Sequence, residues 1–495
     1  MKIAANASIY YHDIGDYLSR EQKLEIIRDA RSINGLKWTE LHPDEHGDWI
    51  NHRNEGFAEF IPLEPDKKFD AKSSSVFCVN SRGFETGRDA WVYNYSPAKL
   101  SANMKKMVHF YNEQVTFFDQ KKKAQPNVKA KDCISTDASK ISWTSSLLSH
   151  LERSETAAFE KDQIYTSLYR PFVKMNNYSG DKMIHRRGQF EQFFPTADTE
   201  NRVICVSGLG GTKANTAIIS NVIPDLNCLD AGAQCFPLYW YEKAEGNQIS
   251  AFGSNSGYIR HDGITDWMLK TVRERFSGTR AITREHIFYY VYGLLHSQEY
   301  RETFSADLKK ELPRIPIVES LDDFMAFSKA GKALAELHLH YDDFAAENAE
   351  TATRKPAVSH ALAADKIVQW QTGPTILLDG TATAIENIPE EALIVNKIRF
   401  ASKEDKSTIL YNNRITLQNI PAQAHDYIVN GRSALEWILD RYQVKTDKDS
   451  GILNDPNDWA REHNSPAYIL NLLLSVIDLS VKSVGIVNGL PKAGV

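Results

Sequence analysis

The stretch REHIFYYVYGLLHSQEYRETFSADLKKELPRIPI, residues 284–317, sets the frame for the rest of the chain. Its opening predicts an amphipathic helix, because apolar residues return at helical spacing along one side. These residues are Ile287, Val291 and Leu294. Thr283 precedes them as a candidate N-cap, and Gly293 weakens the helix near its end.

A second amphipathic helix is predicted after a break at His296 and Ser297. Its apolar positions recur every four residues and are Tyr300, Phe304 and Leu308. Pro313 and Pro316 end this helix and favour an extended arm, because proline lacks an N–H and disfavours helix in the residue before it. Physical patterning alone therefore identifies residues 284–317 as a packing scaffold.

The same stretch resembles the C-terminal specificity region of type ISP restriction–modification enzymes. Those are long single polypeptides that join a nuclease, an ATP-driven motor, an adenine-N6 methyltransferase and a target-recognition domain. Further segments similar to that family occur in the same order: DIGDYLSREQKL (13–24), RGFETGRDAWVYN (82–94), YRPF (169–172), QCFPLYW (234–240) and YNNRITLQNIP (411–421). The family usually continues YRPF with an aspartate where this chain has Val173. The resemblance implies that this chain is the DNA-recognition part of such an enzyme, without the nuclease, the motor and the catalytic part of the methyltransferase.

Composition is that of a large globular protein. Hydrophobic residues make up 42% of the chain and charged residues 25%, which are ordinary values for a globular protein. A length of 495 residues predicts about two to four domains. Five cysteines form no CxxC pair, so neither a zinc ribbon nor a disulfide framework is indicated, and a reducing cytoplasm fits. The opening MKIAANASIYYHD lacks the apolar segment of a secretory signal. The apolar run 468–479 is interrupted by polar residues, so we expect a buried helix there and no membrane span.

The formal net charge of −6 argues mildly against DNA binding, which is driven by lysine and arginine. Only the contacting face must be basic, however. Residues 99–131 hold eight lysines against Glu113 and Asp119, and residues 170–187 hold five basic residues against Asp181. The lysines at 121–123 fit a solvated surface as well as they fit a DNA contact.

We predict a mixed α+β fold in several parts: a methyltransferase-tail segment, an α+β target-recognition region, and a small C-terminal β-sheet with helices. The expected ranges are 1–68 for the end of a methyltransferase-like domain, 69–262 for the first half of the recognition region, 263–375 for a helical scaffold and connector, and 376–495 for a C-terminal hairpin and helical unit. The first range follows from the resemblance.

Several local features are expected as well. Capping boxes are predicted at Ser19 with Gln22 and at Ser433 with Glu436. Residues 76–95 indicate strand, glycine-punctuated turn and strand. Asn412-Asn413 predicts a tight primed turn between two strands.

Turns and strand ends supply the candidate DNA contacts, because an arginine there can reach a base edge with two hydrogen bonds. The candidates are Arg82, Arg88, Arg170, Lys174, Arg186, Arg187 and Lys213. The alternative for the first turn is a hairpin whose Arg88 and Asp89 merely solvate it.

No catalytic or metal-binding residue is predicted. An adenine-N6 methyltransferase needs a [DN]PP[YFW] tetrapeptide, and neither that nor a Walker A motif occurs. The glycine-rich segment 207–213 has the wrong spacing for a phosphate loop. His338, His340, Asp342 and Asp343 could be imagined as a metal cluster. The two histidines are spaced i,i+2, whereas a helix carries metal-ligand pairs at i,i+4, so capping and packing is favoured. S-adenosylmethionine, ATP and Mg²⁺ are expected only in upstream domains.

The favoured function is sequence-specific recognition of double-stranded DNA, without enzymatic activity of its own. The expected partners are separately encoded or missing methyltransferase, helicase and nuclease domains, and the expected location is the cytoplasm. Two alternatives remain: a divergent or split DNA adenine methyltransferase, and an inactive gene remnant.

Overall fold

A computed structural model describes residues 8–15, 18–244, 257–343 and 374–495. The α-helices are α1 Arg20–Ala30, α2 Asp89–Val92, α3 Pro97–Ala124, α4 Ser145–Glu152, α5 Phe190–Phe193, α6 Asp266–Arg275, α7 Arg284–Leu294, α8 Gln298–Thr303, α9 Asp307–Lys310, α10 Leu321–Leu339, α11 Ala434–Arg441, α12 Pro456–Glu462 and α13 Tyr468–Asn488. The connector predicted at 350–375 lies, up to residue 373, outside the described residues.

The strands are short, and several follow one another without an intervening α-helix. They are β1 Ile9–Tyr11, β2 Thr39–Leu41, β3 Ile61–Pro62, β4 Ser81–Arg82, β5 Tyr93–Asn94, β6 Ile164–Arg170, β7 Val173–Tyr178, β8 Val203–Val206, β9 Ala217–Ser220, β10 Ile223–Pro224, β11 Gln234–Pro237, β12 Tyr239–Lys243, β13 Tyr258–Asp262, β14 Arg314–Ile315, β15 Thr375–Leu378, β16 Thr381–Ala382, β17 Arg399–Phe400, β18 Ile409–Leu410, β19 Ile415–Gln418, β20 Ile428–Val429, β21 Arg432–Ser433, β22 Lys445–Thr446 and β23 Leu453–Asn454. The predicted mixture of helices with several small sheets is confirmed.

The chain forms two compact units, residues 1–59 and residues 60–495. The first boundary was expected at residue 68. Strand β3 pairs antiparallel with β14, and residues 61–62 lie in the second unit. That unit is not divided further at 262 or 375. One core cluster joins buried residues from Cys78 to Leu479, all of them in the second unit.

The first unit contains a two-stranded antiparallel sheet of β1 and β2, and helix α1 lies between these strands in the chain. The predicted capping box is confirmed: the hydroxyl of Ser19 accepts the backbone N–H of Gln22, and the Gln22 side chain accepts the N–H of Ser19. Helix α1 has no buried residue. Large apolar side chains are exposed throughout this unit, among them Tyr10, Ile27, Ile33 and Trp49.

The centre of the second unit is the crossing of α7 and α10. Helix α7 begins after Thr283, whose hydroxyl accepts the backbone N–H of His286, and its residues from Ile287 to Leu294 are all buried. Gly293 and Gly331 make the crossing possible. A Cβ at Gly331 would lie 1.9 Å from the Tyr289 carbonyl oxygen, and one at Gly293 would lie 2.3 Å from the Phe327 carbonyl oxygen. Gly293 is therefore a packing residue.

The second predicted helix is present but divided. Ser297 caps α8, and a turn at Phe304 separates it from α9. The proline arm is extended as predicted, and its residues Arg314 and Ile315 form β14.

Residues 76–95 were predicted to form a strand, a glycine-punctuated turn and a strand; the two short strands of this segment do not pair with each other. Ser81–Arg82 (β4) joins a four-stranded antiparallel sheet in the order β4-β11-β8-β9. Tyr93–Asn94 (β5) joins a different sheet in the order β10-β6-β7-β5. The two ends of the segment therefore bind separate distant strands, and the glycine-containing loop between them crosses from one sheet to the other.

The C-terminal part contains the predicted small sheet, in the order β16-β15-β19-β18-β17. The primed turn at Asn412-Asn413 is wrong, because neither residue has a positive φ. Instead, the Asn412 side-chain oxygen accepts the backbone N–H groups of Arg414 and Ile415. The capping box of Ser433 with Glu436 is confirmed at the start of α11.

Helix α13 is the predicted buried helix. By length and composition it is the one helix in the described part of the chain that could cross a membrane, but 61% of its most apolar window is buried inside the protein. Its Ser483 hydroxyl bonds to Nε2 of buried His338 at 2.9 Å, and Nδ1 of His338 bonds to the Tyr292 hydroxyl at 2.7 Å. This apolar helix therefore packs as a core element.

Candidate nucleic-acid interface

Four loops that are distant in sequence contact one another. They are residues 81–87, 184–189, 207–216 and 225–232, and we call them the loop face. Gln189 donates its backbone N–H to the Ser81 hydroxyl at 3.0 Å. Gly208 donates its backbone N–H to the Asp230 carbonyl at 2.9 Å. These contacts fix the loops to one another.

Arg82 and Arg186 are the exposed arginines of the loop face. Arg186 exchanges two backbone hydrogen bonds with Glu85, at 3.0 and 2.9 Å, and its guanidinium lies 3.4 Å from the Glu85 carboxylate. Its side chain remains 63% exposed. Arg82 extends over Gly232, where an added Cβ would lie 3.1 Å from an Arg82 Nη. Both cations are thus presented to solvent from a fixed backbone.

Lys213 is held in the 207–216 loop of the loop face by Asp230. The Asp230 carboxylate accepts the backbone N–H groups of Thr212 at 2.8 Å and Lys213 at 3.1 Å. Burial acts to raise the pKa of Asp230, but these N–H groups and the Lys213 charge lower it overall. The segment 207–213 lies between antiparallel strands β8 and β9, whereas a phosphate loop leads into a helix.

Arg170 lies inside the fold instead of on this surface. Its guanidinium is 2.9 Å from Asp225 and 3.5 Å from Asp89, and its side chain is 12% exposed. The Tyr93 hydroxyl donates to the same Asp225 carboxylate at 3.0 Å. Burial and the neighbouring Asp89 raise the pKa of Asp225 to about 7, with Arg170 acting in the opposite direction. Arg170 therefore ties the loops at 89 and 225 to strand β6.

Arg88 is a core residue, 3% exposed. It donates to the Met183 carbonyl at 2.8 Å and to the Thr144 hydroxyl at 2.7 Å. Burial lowers the pKa of Arg88 to about 10, so it stays protonated at neutral pH. Its position favours a structural role, since so deeply buried a guanidinium cannot reach a base edge.

Lys174 and Arg187 are also engaged within the protein. Lys174 lies 2.7 Å from Asp342, and both side chains are 15% exposed. Arg187 donates to the Glu191 carboxylate and to the Ser179 carbonyl. Of the predicted contacts, the structure therefore brings Arg82, Arg186 and Lys213 to the loop face with exposed or partly exposed side chains.

Asp225 and Asp230 were missed by sequence reasoning, although they hold the loop face together. Both are followed by turn signals that could have drawn attention to them. Asp225 accepts the N–H of Asn227, two residues on, and Asp230 precedes Ala231 and Gly232, both of which have positive φ. Beyond these turn signals, the sequence does not show that the two carboxylates accept hydrogen bonds from the loops around them.

The predicted capping cluster at the end of α10 is divided in the structure. His338 is buried, while His340 lies 2.5 Å from Asp343 and 3.3 Å from Glu336. Hydrogen bonds that His340 donates to these two carboxylates raise the pKa of His340 to about 9. No group of three metal-ligating side chains occurs among the described residues.

Comparison with known proteins places this architecture. The family model for the Type ISP C-terminal specificity domain matches residues 75–472. No curated protein sequence matches the chain at a significant level.

Three solved structures align over nearly the whole chain. A nuclease-deletion mutant of the Type ISP restriction-modification enzyme LlaGI, in complex with a DNA substrate mimic, is 34% identical with a TM-score of 0.77 over 99% of this chain and 39% of its own. The ATP-dependent Type ISP enzyme LlaBIII bound to DNA is 32% identical with a TM-score of 0.77 over 99% of this chain and 28% of its own. A DrdV–DNA complex is 26% identical with a TM-score of 0.75 over 98% of this chain and 43% of its own.

The present chain thus spans less than half the length of each of these relatives. The family match covers most of the chain, including every loop of the loop face. The chain belongs to the Type ISP C-terminal specificity domain family.

Proposed function

We propose that this chain recognises a specific sequence in double-stranded DNA and that the loop face makes the contact. The observation that carries the proposal is the placement of Arg82, Arg186 and Lys213 on loops that internal hydrogen bonds hold in place. Guanidinium groups presented in this way can read guanine with two hydrogen bonds, while lysine suits a phosphate contact. The three aligned structures were all determined with DNA.

The proposal extends to the rest of the system. We propose that adenine methylation, ATP-driven movement and cleavage belong to partner domains, and that S-adenosylmethionine, ATP and Mg²⁺ bind there. Within this chain the tetrapeptide and Walker sequences that those reactions need do not occur. A cytoplasmic location fits this assignment.

Alanine substitution of the three cations tests the proposed contact. We expect Arg82→Ala and Arg186→Ala each to weaken binding to the preferred duplex by about 1–3 kcal/mol if the arginine reads a base, and to relax preference at one position. Lys213→Ala should weaken binding to all duplexes equally and reduce the salt dependence. Fluorescence anisotropy at two salt concentrations measures both quantities.

Lys448→Ala is the matched control, because it removes one positive charge from an exposed position outside the loop face. It should bind DNA like the parent. The placement of the interface would be wrong if the three loop-face variants also bound like the parent, or if Lys448→Ala weakened binding as much as they do.

A further inference from the structure

A cleft of about 820 Å³ opens beside the loop face. Its walls come from residues 214–217 of the 207–216 loop and its following strand, helices α8 and α9, residues 426–429, and the end of α13. The cleft adjoins the loop face directly, because Gly210 donates its backbone N–H to the Lys309 carbonyl at 3.0 Å. Nothing in the proposed DNA contact accounts for this cavity.

Arg301 of α8 lines the cleft with an unmatched charge. Its Nε is buried and has no hydrogen-bond acceptor, and no carboxylate among the described residues forms an ion pair with it. Burial lowers the pKa of Arg301, although Tyr427 and Glu302 act to raise it. A partly buried arginine normally has a carboxylate or carbonyl partner, because an unpaired charge away from water is costly. The missing partner is therefore expected to come from outside the chain.

Two further groups in the cleft can donate hydrogen bonds to the same ligand. Nδ2 of Asn215 is buried and also lacks an acceptor. Lys309 lies at the exposed rim. An arginine, an amide and a lysine make a donor set suited to a group with several oxygen acceptors and negative charge.

Two acidic side chains, Glu302 and Asp426, also line the cleft. Both are exposed, and the Glu302 carboxylate already accepts a hydrogen bond from Gln298 at 2.7 Å. They leave the buried donors of Arg301 and Asn215 unsatisfied. The acids therefore restrict an anion to the inner part of the cleft.

We propose that this cleft binds a phosphate group, held by Arg301 together with Asn215 and Lys309. The phosphate has two possible sources with the same chemistry: the backbone of a DNA strand that passes over the adjoining loop face, or a free phosphate compound. The first source rests on the proposed DNA contact, whereas the second is independent of it.

Inorganic pyrophosphate is the probe for the site itself. We expect it to raise the melting temperature of the 495-residue chain in a concentration-dependent manner, and Arg301→Gln to weaken its calorimetric affinity by about tenfold or more. Glu302→Gln, which removes a repelling charge and leaves Arg301 in place, should tighten it. Arg275→Gln is the control, since Arg275 is exposed on α6 and lies outside the cleft.

Duplex DNA distinguishes the two sources. If the phosphate belongs to DNA, Arg301→Gln should lower duplex affinity about tenfold and reduce the magnitude of the salt slope by about 0.9. If it belongs to a free compound, Arg301→Gln should lose pyrophosphate binding and keep the duplex affinity of the parent. A parent chain that binds no duplex would contradict the proposed function and leave the pyrophosphate measurement valid.

The proposal is overturned if Arg301→Gln and Glu302→Gln bind both pyrophosphate and duplex DNA like the parent. Equal losses in Arg301→Gln and Arg275→Gln would also overturn it, because the effect would then follow from total charge. If Arg301→Gln does not fold, Lys309→Gln and Glu302→Gln still decide the matter, since they should change pyrophosphate affinity in opposite directions.

Discussion

A guanidinium donates to whatever acceptors surround it, so its depth in the protein decides whether it holds the fold together or remains available to a ligand. Arg88 and Arg186 show the two cases within one region. Arg88 is 3% exposed and bonds to Met183 and Thr144, whereas the Arg186 side chain is 63% exposed. The first should affect stability and the second should affect binding.

Arg88→Ala should lower the free energy of unfolding by about 2 kcal/mol, because it removes two charge-assisted hydrogen bonds while relieving part of the burial cost. Thr144 is also the N-cap of α4, so the substitution should destabilise that helix as well. Urea denaturation measures the change. Arg186→Ala should change stability by less than about 0.5 kcal/mol; if it cost as much as Arg88→Ala, the division by depth would be wrong.

His296 should make the protein sensitive to mild acid. Burial lowers the pKa of His296 to about 4, below its ordinary value near 6.5. Between these two values the unfolded chain takes up the proton and the folded chain does not, so stability falls as pH decreases from about 6.5 toward 4. From pH 7 to pH 5 this histidine should cost about 2 kcal/mol.

His296→Asn is the matched variant, because an amide can still donate to the Tyr292 carbonyl, which lies 2.8 Å from Nδ1 of His296. Urea denaturation at pH 7 and pH 5 should show a smaller acid loss for the variant. Asp225, whose pKa is raised to about 7, contributes stability of opposite sign on acidification, but equally in both proteins. Identical acid losses would show that His296 titrates normally in the folded chain.

Sequence alone proposed positive residues as candidate DNA contacts but could not predict how deeply each is buried. Arg82 and Arg88 flank the same short turn, and only the pairing of that segment with two separate sheets buries the second of them. Arg170 and Lys174 are occupied by Asp225 and Asp342, which are 55 and 168 positions away in the chain. Such partners are set by tertiary structure, so local patterning could not reveal them.

At the scale of elements, the crossing of α7 and α10 depends on glycine. Gly331→Ala should destabilise the protein by about 3 kcal/mol, because its Cβ would lie 1.9 Å from a carbonyl oxygen of Tyr289 and the helices would have to separate. Gly485→Ala in α13 is the control, since a Cβ there meets nothing within 4 Å. It should be neutral or stabilising by up to about 1 kcal/mol.

Chemical denaturation of both glycine variants checks this expectation. Similar effects of the two substitutions would mean that helix propensity, and not close approach, governs both sites.

Elements fixed by local sequence were the ones that sequence reasoning predicted well. Thr283, Ser19 and Ser433 cap helices as expected, because a cap involves residues only three positions apart. The arrangement of segment 76–95 could not be predicted, because its two strands pair with distant strands of different sheets. The prediction of a primed turn at Asn412 was wrong because the Asn412 side-chain oxygen accepts the backbone N–H of Arg414. Two consecutive asparagines are compatible with this arrangement as well as with a primed turn.

At the scale of the whole molecule, the first unit has large apolar side chains that are exposed to solvent. Helix α1 buries no residue, and Ile27, Ile33 and Trp49 are 58%, 72% and 56% exposed. Residues 13–24 resemble the end of a methyltransferase domain, so we expect the rest of such a domain to pack against these exposed side chains. Adding that domain in trans should therefore raise the melting temperature or the solubility of the chain.

Differential scanning fluorimetry with and without the methyltransferase domain measures this effect. Ile27→Glu should abolish it, while Glu25→Lys on the exposed helix serves as a control for charge. An unchanged melting temperature of the parent would count against the expectation that residues 1–68 are the end of a methyltransferase-like domain.

The central claim is that this chain itself selects a DNA sequence, and selection from a pool of random duplexes tests it most directly. The 495-residue chain, incubated with the pool at physiological salt and without S-adenosylmethionine or ATP, should enrich one defined sequence over successive rounds. Arg82→Ala or Arg186→Ala should then relax the preference at single positions of that sequence. Retention of duplexes without any sequence enrichment, or no retention at all, would contradict the account.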